Sequence, residues 1–311
     1  MNASNDRRRD DARSSVAILA AGLWLATSLA HAAPQVNPAR EKTEEEIIVE
    51  AQRIELERRA YAFVSGITHR GALTESLARW NKPICPLVAG IPTAQGEFIL
   101  ASVSRTAKVA GAPLDARKCN PNFHVVFTYD PDELMRLWRK HAPRLFGAAS
   151  PTEVQRVMGK ARPVRVWYNA WEKCADGELR GVRTGANLSE SWTYMADCRI
   201  KDTRLAFNSI VPIQSVVVIV DIDDIKELKI GPLADYIAMV GLTKVDFYGD
   251  LGDAPTVLRL FPVSVDATPQ GMSDWDRAFL KGLYTTSQLS RFQRSEIARQ
   301  MVKGFVAHQV N

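Results

Sequence analysis

The sequence predicts a mixed α/β (α+β) fold in one domain, a mixed and twisted sheet followed by a helical C-terminal part. Three observations carry the prediction. Runs of β-branched and aromatic residues, NFHVVFTYD, PVRVWYNAW, LAFNSIV and QSVVVIVDID, alternate with segments whose apolar residues recur at helical spacing. Beyond the last of these runs the pattern is helical. No repeat, low-complexity tract or linker interrupts the chain of 311 residues, so 46–311 reads as a single domain.

At the N-terminus NDRRRDDARSS supplies a charged start, VAILAAGLWLATSLA an apolar run, and AHA before Ala33 a small-residue cleavage site. These are the parts of an export signal over 1–32. The apolar run is shorter than the roughly 20 residues a membrane span needs. No later segment is long and apolar enough to cross a bilayer. Residues 33–45 are polar and charged, as in a flexible leader. The stretch 44–53, EEEIIVEAQR, resembles the TonB box of outer-membrane receptors, which works as an extended strand added to a partner's sheet. The receptor's plug and barrel are missing, so the other reading of 44–53 is an ordinary lead-in to the first helix or strand.

EAQRIELERRAYAFVSGI has the spacing of a first helix, and RWNKPICPLV is extended and broken by two prolines. TAQGEFILASVSRTAKVAGAP is a helix that stops at Gly111 and Pro113. NFHVVFTYD is a strand. DPDELMRLWRKHAPRLF then opens a helix with acidic residues in its first turn. PVRVWYNAW is the next strand, and the polar stretch 172–203 reads as a hairpin or long excursion. LAFNSIV and QSVVVIVDID are two more strands, the second apolar enough to be buried on both faces. A helix over 232–240 follows, with Pro232 in its first turn and Gly241 as a left-handed C-cap. Ser273 caps the next helix, with Asp276 completing a capping box. The last helix places Phe292, Ile297, Met301 and Phe305 on one face.

Hydrophobic residues at 46% and charged residues at 24% are ordinary for a globular protein, and the net charge of +5 is mild. The densest basic run, Arg7-Arg8-Arg9, lies in the expected signal. No nucleic-acid-binding pattern occurs, so nucleic acid is not an expected partner. Cys85, Cys119, Cys174 and Cys198 form no CxxC pair. In an exported chain they read as disulfides, for which three pairings are open. Cys85–Cys119 and Cys174–Cys198 are favoured because each pair brackets one local unit.

The segment 234–244, ADYIAMVGLTK, resembles the metzincin active-site frame H-E-x-x-H-x-x-G-x-x-H. In that frame two histidines one helical turn apart bind zinc, a glutamate activates water, and a glycine turns the chain toward the third ligand. With Gly241 in register, the ligand positions are Ala234, Ala238 and Lys244, and the base position is Asp235. Downstream, PTVLRLF stands at the metzincin turn with Leu258 in place of methionine, and MSDWDRAFLKGLY matches the closing helix. NFHVVFT and VVVIVDID fit the two strands before the active-site helix. Over 98–284 the chain thus resembles a degenerate, zincin-like domain of an exported proteobacterial family.

The resemblance implies a zincin-like fold without zinc chemistry. Alanine has no donor atom, and the lysine cation repels zinc. His31, His69, His124, His141 and His308 form no H-x-x-x-H pair. DIDDIKE lacks the spacing of a calcium loop, and no nucleophile elbow, P-loop or dinucleotide motif occurs. No cofactor is expected. An Asp235–Lys244 ion pair across the former metal position is the sharper reading of those two, and a solvated helix Asp and loop Lys the plainer one. Tyr236, Trp275 and Asp276 are either groove-lining or core. The expected function is non-catalytic binding or scaffolding of a protein or peptide ligand, in the periplasm or outside the cell. The alternatives are a hydrolase with a rearranged site in the same cleft, or a TonB-linked accessory protein.

Overall fold

A computed structural model describes residues 43–68, 76–115, 118–147, 151–159, 162–175, 181–183, 192–194, 203–261 and 269–309. The expected signal and most of the leader, with His31 and His69, lie outside the described residues. From Glu44 onward the chain makes one compact unit. It opens with α1 (Glu44–Ile67), then β1 (Arg79–Trp80), β2 (Pro86–Ala89), α2 (Thr93–Ala110) and β3 (Phe123–Thr128). Next come α3 (Pro131–His141), α4 (Pro151–Met158), β4 (Val164–Ala170) and four short strands, β5 (Lys173–Cys174), β6 (Gly181–Arg183), β7 (Trp192–Tyr194) and β8 (Ser209–Ile210). The long strand β9 (Pro212–Asp221) leads to α5 (Ile230–Leu242), α6 (Asp274–Thr285) and α7 (Gln293–Gln309).

The main sheet is mixed, as expected. β3 lies parallel to both β2 and β9, while β4 runs antiparallel on β9, with Val166 opposite Val218. β1 joins parallel to the start of β9. Alternation sorts the side chains onto two faces. Val125, Val166, Tyr168, Val216 and Val218 enter the main core with α1, α2, α5, α6 and α7. Trp167, Val217 and Ile219 point the other way and pack on Met135 from α3, Val154 from α4 and Phe146 between them. This second cover explains why β9 is buried on both faces over 216–220.

Local signals behave as read at several ends. Gly111 ends α2 at φ 84°, where a Cβ would be disfavoured. Asp130 caps α3 by accepting from the Glu133 N–H at 2.9 Å. Ser273 and Asp276 form the complete capping box of α6. Cys85 and Cys119 are bonded to each other. Closing a loop of 34 residues is worth roughly 3–4 kcal/mol in the chain-entropy picture. Cys174 is also disulfide-bonded, and Cys198, its expected partner, lies outside the described residues.

Other expectations need correction. The leader gives way to helix already at Glu44, and the TonB-box-like stretch is helical instead of extended. Of LAFNSIV only Ser209 and Ile210 are strand. Phe292 precedes α7 and is exposed, so Ile297, Ala298, Met301 and Val302 form the packed face instead. The largest correction concerns Gly241, which is helical within α5 and not a left-handed cap. Thr243, extended, ends the helix. The carbonyls left without helical partners are met from outside: Tyr168 Oη donates to Val240 O (2.7 Å), Trp80 Nε1 to Gly241 O (2.8 Å) and Tyr284 Oη to Leu242 O (2.6 Å). Glycine is needed at 241 for close approach, since a Cβ would sit 1.8 Å from Phe123 Cζ. Among the described residues, no helix is long and apolar enough to cross a membrane.

Candidate functional site

The positions of the degenerate metal frame do not converge. Helix α5 is apolar nearly all round, with ten of its thirteen residues buried, which is the composition of a central helix. Ala234 and Ala238, expected to face a cleft, have no exposed surface and belong to the main core. Asp235 leaves the helix on the side of α2 and α6, where it accepts from Ser102 Oγ at 3.0 Å and the Met272 N–H at 2.8 Å. It lines a small hollow there with Arg105 and Arg277. Lys244 lines a different cleft, so the expected Asp235–Lys244 ion pair is not formed. Leu258, nearly buried, lines the floor of the cleft that Lys244 joins. His124 is half-buried on β3, where burial lowers its pKa. His141 ends α3, and the side chain of His308 lies outside the described residues.

The cleft is the stronger candidate. Two adjoining pockets, the deeper of about 390 Å³, run between β4 and the segment that follows α5. That segment is tied to the end of α1. The Asp246 N–H donates to Ile67 O at 2.9 Å, and Val245 bridges Thr68. Gly66 and Gly249 let the backbones touch, because a Cβ on Gly249 would lie 1.7 Å from Gly66 O. Asp246 also turns the chain by accepting from the Tyr248 N–H. Tyr236, Leu251, Leu258 and Phe261 make an apolar floor. The Tyr236 ring meets the Phe261 ring edge-on at 5.0 Å, and burial pushes its hydroxyl pKa well up.

Asp276 holds that floor in place. Its carboxylate has no exposed surface and accepts from Thr256 Oγ1 (2.5 Å), the Val257 N–H (2.9 Å), the Ser273 N–H (2.9 Å) and Ser273 Oγ (2.8 Å). Burial pushes its pKa up, against the pull of those four donors. One residue thus both boxes the start of α6 and fastens the 3₁₀ turn Val257–Leu260. Of the three residues weighed between groove and core, Asp276 is a core latch, Tyr236 a buried groove wall, and Trp275 a partly buried ring packed edge-on against Phe63.

The opposite wall is an edge strand. Pro163 O accepts from the Asp221 N–H, which sets the phase of the β4–β9 ladder. Arg165 and Trp167 turn their peptide groups toward β9, and Val164 and Val166 turn theirs outward. Among the described residues, nothing is hydrogen-bonded to those outward groups. Cations gather along this edge. The Arg162 guanidinium lies over the Tyr248 ring at 4.7 Å, and that of Arg156 over the same ring at 5.8 Å. Neither is ion-paired among the described residues. Arg165 is buried. It donates to Asp132 from Nη1 at 2.5 Å and Nη2 at 3.3 Å, which holds the Asp132 pKa below the usual carboxylate range. Its Nε–H has no hydrogen-bond partner.

The described lining of the cleft carries one carboxylate, Asp246, and no Ser, Thr, Cys or His. Such a set can bind through backbone, charge and apolar area. Arg156, Arg162, Arg165 and Tyr248 carry no signal in the sequence, since each is an ordinary basic or aromatic residue until the fold lines them along one edge. Compared with known proteins, the chain matches no family model, no curated protein and no solved structure.

Proposed function

We propose that this is an exported, non-catalytic, zincin-like module of the cell envelope that binds an extended polypeptide along the outer edge of β4. The carrying observation is that edge: Val164 and Val166, buried at 5% and 6% exposure, line the cleft, and their outward N–H and C=O groups have no hydrogen-bond partner among the described residues, the pattern of an edge that accepts an added strand. The zincin-like frame is supported by element order, with a buried strand, a helix, a tight turn and a capped helix following one another as the resemblance implies. The non-catalytic reading is supported by the side chains at the frame positions, since Ala234 and Ala238 carry no donor atom. Export is supported by the signal-like N-terminus and by a disulfide inside the folded unit.

The test is selection of a displayed random-peptide library on the purified protein, followed by hydrogen exchange on the complex. The expected result is a binder that is not cleaved and slows exchange at Val164 and Val166. N-methylation of the binder at alternate peptide bonds abolishes binding. Cleavage of the selected peptides, or protection confined to other surfaces, overturns the proposal.

A further inference from the structure

We infer that this cleft selects acidic segments, and the inference rests on the strand-addition reading just given. Charge complementarity carries it. The pocket against β4 is lined by Arg156, Arg162, Lys244 and Arg165, the last paired with Asp132, with Asp246 the one carboxylate among its described residues. Arg156 and Arg162 are stacked on Tyr248, which is half exposed. Stacking takes up the face of a guanidinium and leaves its N–H edge for a carboxylate, the planar partner that arginine meets with two parallel hydrogen bonds. A second feature points the same way. Arg165 lines the same pocket, is buried with its two terminal nitrogens on Asp132, and has an Nε–H with no partner among the described residues. A buried donor in that state costs free energy until an acceptor reaches it, and a ligand carboxylate is such an acceptor.

The remaining wall sets what else the ligand carries. The deeper pocket is closed by Tyr236, Leu251, Leu258 and Phe261, so it takes a large apolar side chain. The occupant is therefore an extended segment that combines acidic residues with at least one Leu-, Ile- or Phe-like residue. Successive side chains of a strand point to opposite sides, which lets one segment serve the cationic rim and the apolar floor together.

The experiment uses the folded protein and three fluorescein-labelled, end-blocked peptides of one β-prone sequence, carrying two Glu, two Gln or two Lys at the same positions. Fluorescence anisotropy is expected to rank them Glu, Gln, Lys, with about tenfold between the first two. Added salt should weaken the Glu peptide most. Arg156→Glu with Arg162→Glu should invert the ranking. Arg156→Gln, at an exposed position, serves if the double variant does not fold, and should lower the preference for the Glu over the Gln peptide. Equal binding of all three with protection at Val164 and Val166 overturns acid selectivity and leaves strand addition standing. Binding of none, or binding without protection at the edge, overturns both.

Discussion

The flank of α5 and the chain just past its end make an instructive pair. The two are neighbours in the chain, yet one is sealed and the other open. On the flank, Ala234 and Ala238 are wholly buried, and Gly241 lets the Phe123 ring rest against the helix backbone. Past the end, Lys244 to Gly249 and Leu251 line a cleft opposite β4, where the outward groups of Val164 and Val166 have no hydrogen-bond partner among the described residues. Small residues at these positions allow close packing, and close packing fills the space a ligand would need. The charges and rings that can recognise a partner sit where the backbone leaves the helix.

Introducing histidine at both sealed positions, Ala234→His with Ala238→His, should have the largest effect. Overpacking costs about 1–3 kcal/mol at each site, and an imidazole buried without partners adds about 1–3 kcal/mol more. The pair should therefore unfold at far lower urea concentration than wild type, or fail to fold. Stoichiometric zinc in a folded double variant, even with Lys244→His added, would break the contrast by showing the flank to be open.

Removing the latch comes next. Asp276→Ala leaves the Val257 and Ser273 N–H groups buried without acceptors, at about 1–3 kcal/mol each. It should lower the urea midpoint and also raise exchange in the turn Val257–Leu260. Stability lost with no change at that turn would separate the latch from the cleft floor.

Gly241→Ala should cost about 1–3 kcal/mol through collision with Phe123. Trimming the ring as Phe123→Leu should recover part of it, measured as a coupling in a double-mutant cycle. Additive losses would place the strain elsewhere.

The smallest effect belongs to the cleft side. Asp132 is largely exposed, so Asp132→Asn should cost less than about 1 kcal/mol at neutral pH. Its folded pKa lies below its ordinary value of 3.8. The stability it contributes is present above that value and is lost as pH falls through the folded pKa. Asp276, with a raised pKa, has the opposite sign: its contribution is greatest below 3.8 and fades as pH rises through its folded pKa. Chemical unfolding between pH 2 and 6 should show a shallower acid limb in Asp132→Asn than in wild type. Identical limbs would mean the Arg165 pair adds nothing to stability.

How far the sequence could be read depended on the range of each interaction. Gly111, Asp130 and the Ser273–Asp276 box were legible because a cap works within one turn of its own helix. Three of the four strand runs were legible because β-branching and alternation are local, while LAFNSIV kept only Ser209 and Ile210 as strand; the bracketing of one unit by Cys85 and Cys119 also held. Gly241 misled for the same reason. A glycine at the end of an apolar stretch looks like a left-handed cap, and only the position of Phe123, on a strand far earlier in the chain, makes it a packing glycine.

Helix and strand identity, the cap residues, the apolar core positions and the absence of zinc-binding side chains at the frame were written in the order of residues, since each follows from chemistry within a few positions. Tertiary structure alone decided that the alanines of that frame are core, that Tyr168, Trp80 and Tyr284 close the end of α5, and that Arg156, Arg162 and Arg165 share one strand edge. Those outcomes depend on which elements face one another, and that is fixed by burying apolar area on both sides of the sheet at once.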